Sequence, residues 1–246
     1  MRVETVFLPS QLKPQDVSSR SVVVFDVLRA TTTIAAAFEQ GVKEIRVFGD
    51  LASAKSAAAT HTGPRLLCGE QRCLPPEGFD LGNSPLAFDR RSHDGRTMFL
   101  STTNGTRAFM AARAAPRLLA GALVNASAVA RFLVRQSADV TLLCAGTDGV
   151  IAMEDVLGAG AVIRALCEIH DVTLESDAAR LSDRLFQGAR HDLPAILSTT
   201  QGGLNIRSVG LDEDIAYASR LDALNVVGVV RHADPTFLTL TVAGSD

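Results

Sequence analysis

Short β-branched runs alternate along the chain with Ala-rich segments whose apolar residues recur at helical spacing. Ser21–Phe25 (SVVVF) reads as a buried strand. Residues 31–40 read as a helix with Ile34, Ala37 and Phe38 on one face and Gly41 as its stop. Glu44–Phe48 is the next strand, and Asp50 caps a small-residue helix. Residues 65–68 are strand-like, and Thr97–Ser101 is a strand with a helix following from about Thr106. Residues 117–120 form a short strand, and Ser127 opens a helix with Val129, Phe132 and Leu133 on one face. Val140–Cys144 is a strand. Residues 153–167 give the clearest helix, because Met153, Val156, Leu157, Gly160, Ile163 and Cys167 follow its period. Residues 171–224 read mainly as helices, with caps such as Ser176 and stops such as Gly188, before strands return at 226–230 and 236–241.

Alternating strand and helix implies a layered α/β/α architecture with a mixed sheet. The 246 residues read as a single α/β catalytic unit. Residues 23–38 and 99–112 echo each other, both with Thr at the helix entrance. A duplication therefore stays open, and so, separately, does a division into two similar lobes of about 1–120 and 121–246.

Lys and Arg number 24 against 27 Asp and Glu, for a formal net charge of -3, and aromatics make up only 5%. Nucleic-acid binding by a basic, base-stacking surface is not expected. No signal peptide or membrane span is evident, so a cytoplasmic protein is expected, with Cys68, Cys73, Cys144 and Cys167 as reduced thiols. The five histidines are scattered in polar contexts and read as surface residues.

Four strand-to-helix junctions are rich in polar residues. In the first, Asp26 ends a strand where α/β proteins place ligands. Arg29 adds a bidentate donor, and Thr31, Thr32 and Thr33 with the helix-start amides could hold an anion. The second runs from Ser101 through Thr102, Thr103, Asn104, Gly105 and Thr106 to Arg107, and resembles an anion nest. Asn125 and Ser127 form a third entrance, better explained by capping alone. The fourth, CAGTDG at 144–149, leads to Glu154 and Asp155 in the first turn of a helix. Neighbours in a helix cannot face the same way, so one of this pair is the metal candidate, Asp155 ahead of Glu154.

Residues 69–96 form a long Gly- and Pro-rich excursion, as lids and binding loops do. Within it Glu70 is a candidate metal ligand or acid/base group and Arg72 a phosphate clamp; a surface Glu–Arg pair is the plainer alternative. There is no Walker A loop, no G-x-G-x-x-G after a strand and no G-x-S-x-G elbow. Val150 stands where a tyrosine-phosphatase loop needs Arg, and Leu28 where a haloacid dehalogenase needs its second Asp. Neither that fold nor a Rossmann fold is expected.

Several segments together resemble the 2-phosphosulfolactate phosphatase family: FDVLRATTTIAAAFEQG at 25–41, CGEQR at 68–72, GFDLGNSP at 78–85, STTNGTRAF at 101–109, LVNASAVARFL at 123–133 and CAGTDGVIAMEDVLGAGAVI at 144–163. The likeness covers roughly residues 20–165 and is looser beyond, through Gly203-Leu204 and Asp214-Ile215. It implies a Mg²⁺-dependent phosphomonoesterase that converts 2-phosphosulfolactate to sulfolactate and phosphate, a step of coenzyme M biosynthesis. The site it implies comprises Asp26, Arg29, Thr31, Thr32, Glu70, Arg72, Asn83, Thr103, Asn104, Gly105, Thr106, Asn125, Glu154 and Asp155. Asp26, Arg29, Glu70 and Arg72 are expected to carry the chemistry, and Asp26, Asp155 and Glu154 to hold the metal. Gln71, Cys73 and Leu74 depart from a stretch that is often Gly-containing in the family. The expected partner is a small anionic phosphoester, without nucleic acid or membrane, in a monomer or homo-oligomer. A phosphatase of another small phospho-acid, or a binder of anionic metabolites without turnover, are the alternatives.

Overall fold

The computed structural model describes residues 1–244. Ten strands form one mixed sheet: β1 (Arg2–Val6), β2 (Ser21–Phe25), β3 (Glu44–Phe48), β4 (Arg65–Gly69), β5 (Thr97–Ser101), β6 (Arg117–Gly121), β7 (Val140–Cys144), β8 (Thr173–Leu174), β9 (Gly228–Ala233) and β10 (Phe237–Val242). Their order is β4-β5-β3-β10-β9-β6-β2-β7-β1-β8. The helices are α1 (Pro14–Val17), α2 (Ala30–Glu39), α3 (Leu51–Thr60), α4 (Arg90–His93), α5 (Gly105–Ala111), α6 (Ala126–Gln136), α7 (Met153–Ile169), α8 (Asp177–Ala189), α9 (Leu193–Thr199), α10 (Gln201–Arg207) and α11 (Asp212–Ala218).

Two parallel blocks are joined through the C-terminal hairpin. β10 pairs antiparallel with β3, β9 pairs antiparallel with β6, and all other pairings are parallel apart from β9 with β10. The inner strands β2, β5 and β7 are buried along all five residues, as strands covered on both faces must be. The two-residue period sorts their side chains: Val23 and Phe25 join the core beneath α6, α7 and α8, whereas Val22 and Val24 join the core beneath α2 and α5. The layered α/β/α arrangement expected from the sequence is the one observed.

The N-terminal residues form β1, which seats in register against β7 from Val3 with Val140 to Val6 with Leu143. β8 exists through its pairing with β1, Arg2 with Thr173 and Val3 with Leu174, so residues 171–224 are not wholly helical. Gly188 does not stop a helix, because α8 runs through it to Ala189. His93 is not a surface residue: it is buried, and its Nδ1 accepts the Asp89 amide hydrogen at 3.1 Å. All four cysteines are free thiols. Among the described residues no helix is long and apolar enough to cross a membrane.

Candidate active site

Parallel strands leave their carboxyl ends on one edge of the sheet, and four of those ends converge on a single cleft of about 180 Å³. Asp26, Leu28 and Arg29 follow β2. Glu70, Arg72, Cys73 and Asn83 come from the excursion after β4. Thr102, Thr103 and Asn104 follow β5, and Thr147 and Asp148 follow β7. Gly202 and Asn205 of α10 close the fifth side.

Asp26, just beyond β2, is buried and lines the cleft. Its Oδ1 accepts the Ala30 amide hydrogen at 3.2 Å, and its own amide donates to Thr31 Oγ1 at 3.1 Å. Burial pushes its carboxyl up to about 6, aided by the charges of Glu70 and Glu154 and opposed by the amides of Ala30 and Gly105. The start of α5 passes so close that a Cβ at Gly105 would lie 2.6 Å from Asp26 Oδ2 and 2.7 Å from Ala30 Cβ. Gly105 is thus needed for the approach of a helix start to a carboxylate.

Glu70 is fixed from two sides. Its Oε1 accepts the Cys73 amide hydrogen at 2.7 Å, and its Oε2 accepts the Thr103 hydroxyl hydrogen at 3.0 Å. Arg29 is almost wholly buried; it donates to Asp214 Oδ2 and to the Cys73 carbonyl, each at 2.5 Å. Arg72 differs in kind. It is exposed on a left-handed backbone with φ 53°, and its guanidinium has no hydrogen-bond or ion-pair partner among the described residues. Asn83 is buried against the cleft, and its Oδ1 has no partner. Asn104 accepts the Asp148 amide hydrogen at 3.2 Å, tying two of the strand ends together.

Five expected site residues serve the frame instead. Thr31 Oγ1 donates to the Asp26 carbonyl and Thr32 Oγ1 to the Val27 carbonyl, so both hydroxyls are spent on the β2–α2 junction. The Thr31 amide likewise donates to the Asp26 carbonyl. Thr106 Oγ1 donates to the Thr102 carbonyl. Asn125 does not cap α6; it accepts the Ala122 amide hydrogen and donates to the Val226 carbonyl, buried away from the cleft. Gly105 acts through its lack of a side chain, as above.

Glu154 and Asp155, at the start of α7, lie behind the cleft wall. Asp155 Oδ1 accepts from the Val27 amide at 2.8 Å and Oδ2 from the Gly146 amide at 3.0 Å, stapling α7 to the ends of β2 and β7. Burial, then the nearby charges of Asp26 and Glu154, push its carboxyl well above the usual carboxylate range. Burial also raises Glu154, whose Oε2 has no partner. A Cβ at Gly202 would lie 2.0 Å from Glu154 Oε1, so α10 can cross this carboxylate only as glycine.

Sequence reasoning missed Gly202 and Asn205, and it marked Thr147 and Asp148 (in CAGTDG) and Asp214 without giving them a role in the site. The Asp148 signal was available in the CAGTDG turn, where Asp148 has a left-handed φ of 51°. Asn205 sits on a short helix 179 residues after Asp26, and nothing local marks it.

A family model described as 2-phosphosulpholactate phosphatase matches residues 6–233, a span that holds every cleft residue. A protein of Parasynechococcus marenigrum (strain WH8102), named probable 2-phosphosulfolactate phosphatase, is 40% identical over 231 residues, covering 92% of this chain and 95% of that protein. A protein of the same name from Carboxydothermus hydrogenoformans is 39% identical over 228 residues, 92% of each chain. Another, from Synechococcus sp. (strain CC9605), is 38% identical over 244 residues, covering 95% of this chain and 100% of that protein. Matches of this extent run through both parallel blocks and all five sides of the cleft, and the chain belongs to the 2-phosphosulpholactate phosphatase family.

Proposed function

We propose that the chain is a phosphoric monoester hydrolase that converts 2-phosphosulfolactate to sulfolactate and inorganic phosphate with the help of Mg²⁺, as a cytoplasmic step of coenzyme M biosynthesis. The observation that carries this reading is the meeting of two cationic side chains, Arg29 and Arg72, with two carboxylates, Asp26 and Glu70, in one small polar cleft. Arginines suit phosphate and sulfonate oxygens, and donors fixed in a partly desolvated cleft stabilise the charge that develops during phosphoryl transfer. A binder of anions would gain nothing from two carboxylates beside its ligand.

The donor set fits magnesium in one specific way. Among the described residues no group of three His, Cys, Asp or Glu side chains is arranged to hold a metal by itself. Mg²⁺ commonly takes one or two carboxylates and completes its shell with water and substrate phosphate. Asp26 and Glu70 would supply those carboxylates. Behind them, Glu154 and Asp155 add negative charge to a crowd that already raises the Asp26 carboxyl, and a cation relieves such crowding. When bound, the ion supplies charge neutralisation at the phosphoryl oxygens and orients water.

This chain's own part follows from geometry. Arg72, exposed and unpaired, captures the anionic substrate. Arg29 holds it at the wall, and the Asn83 amide, lacking a partner for its Oδ1, takes a polar group of the substrate. Asp26, which lines the cleft, acts as nucleophile or as the group that aligns the attacking water; rapid-quench trapping of an acyl-phosphate separates the two roles.

The decisive experiment measures phosphate release with and without Mg²⁺ from 2-phosphosulfolactate, phospholactate and the phosphoglycerates. Mg²⁺-dependent release, fastest from 2-phosphosulfolactate, is expected. Faster release from another phospho-acid would reassign the substrate, and no release from any of them would leave an anion binder.

A further inference from the structure

We propose that Asp214 is a positioning residue for this reaction: it fixes the Arg29 guanidinium in the cleft wall in the orientation that receives the substrate's anionic group. The proposal rests on the hydrolase reading above. Asp214 lies on α11, 188 residues after Asp26 and outside the cleft lining.

Both oxygens of Asp214 are committed, to different segments. Oδ2 accepts from Arg29 Nη1 at 2.5 Å, and Oδ1 accepts from Ser84 Oγ at 2.6 Å. A carboxylate held at both oxygens cannot turn, so its bond to the guanidinium has a fixed direction. The other amino group of Arg29 donates to the Cys73 carbonyl at 2.5 Å. Two anchors from separate segments set the plane of the guanidinium. An arginine has five N–H donors, so three remain, on a residue that lines the cleft.

Burial explains why the counter-ion is needed. The side chains of Arg29 and Asp214 are each only 2% exposed. A guanidinium so buried is costly without a paired anion, and a buried pair is a poor device for stability alone, because apolar residues of equal volume serve as well. What the pair provides is a cation kept in a low-dielectric wall, where its attraction for an arriving anion exceeds that of a solvated arginine. Asp214 does not line the cleft, so it acts through Arg29. The same atoms join α11, the excursion and the β2–α2 junction around one guanidinium.

The test compares kcat and KM for wild type, D214N, S84A, R29Q and D214N/R29Q, with phosphate affinity from calorimetry on each. D214N is expected to lower kcat/KM about 100-fold and S84A several-fold. D214N should also weaken inorganic phosphate binding about 10-fold. If Asp214 works through Arg29, the double variant is no worse than R29Q alone. Fully additive losses, or D214N with wild-type phosphate affinity, would overturn the proposal. Should D214N fail to fold, S84A keeps the ion pair and carries the test: unchanged kcat, KM and phosphate affinity would overturn it. A wild type without hydrolase activity sinks the functional reading, whereas an active wild type matched by D214N sinks only this inference.

Discussion

At the scale of single residues, the site depends as much on an absent side chain as on those present. Replacing Gly105 with Ala puts a methyl carbon 2.6 Å from Asp26 Oδ2 and 2.7 Å from Ala30 Cβ, so the carboxylate or the helix start must shift. G105A is expected to cost about 1–3 kcal/mol of stability, the usual range for overpacking. It should also lower kcat/KM at least 10-fold by displacing Asp26, read from urea unfolding and phosphate release. Arg72 is the opposite case. Its guanidinium has no partner among the described residues, so R72A is expected to leave the melting temperature unchanged and to raise KM about 10-fold with kcat nearly intact, as loss of ground-state binding does. A fall in stability on R72A would show that the residue holds the excursion together instead. These contrasts also mark what was legible. Asp26, Arg29, Glu70, Arg72, Asn83, Thr103 and Asn104 were named in the sequence and do line the cleft. Thr31, Thr32 and Thr106 carried the same polar signal, yet their hydroxyls satisfy backbone carbonyls. Composition at a junction cannot distinguish a hydroxyl that faces a ligand from one that closes a turn.

Elements are placed by pairings that the local pattern announces unevenly. The inner strands stood out because they are apolar on both faces, whereas β1 (RVETV) alternates and β8 is only two residues long. The β9–β10 hairpin was visible as two strands, but not as the bridge between two parallel blocks, a fact of long-range pairing with β3 and β6. The start of α7 shows how a side chain can set an element. Asp155 accepts amide hydrogens from Val27 and Gly146, the backbones just beyond β2 and β7. D155A leaves both buried amides without acceptors and is expected to cost about 2–6 kcal/mol, at about 1–3 kcal/mol for each unsatisfied group. D155N can satisfy one amide and also removes a charge from beside Asp26 and Glu154, so it should be the milder change. Urea unfolding of the two variants orders them, and equal losses would mean that the staple is not what holds α7.

Taken as a whole, a chain with net charge -3 gathers buried carboxylates behind a cleft meant for anions, and that choice has a thermodynamic signature. Asp26 is pushed up to about 6 in the folded state, against roughly 3.9 in an unfolded chain. Between those values the native protein binds more protons than the unfolded one, so its stability falls as pH rises. Glu154 and Asp155 are raised as well and act in the same direction. In chelator the stability held by a protonated Asp26 is therefore expected to be lost as pH rises from about 4 to about 6, read as a fall in melting temperature over that range. Magnesium should take over from the protons. At about 100 times its dissociation constant it would add roughly 2.7 kcal/mol, worth about 5–10 °C for a chain of this size, and the gain should be larger at the higher pH. Asp26→Asn removes the central charge and should flatten both the pH slope and the magnesium shift. A variant that keeps the full magnesium shift would move the ion away from Asp26. A wild type in chelator whose stability between about pH 4 and 6 follows that of Asp26→Asn would show that the Asp26 carboxyl is not what limits the fold.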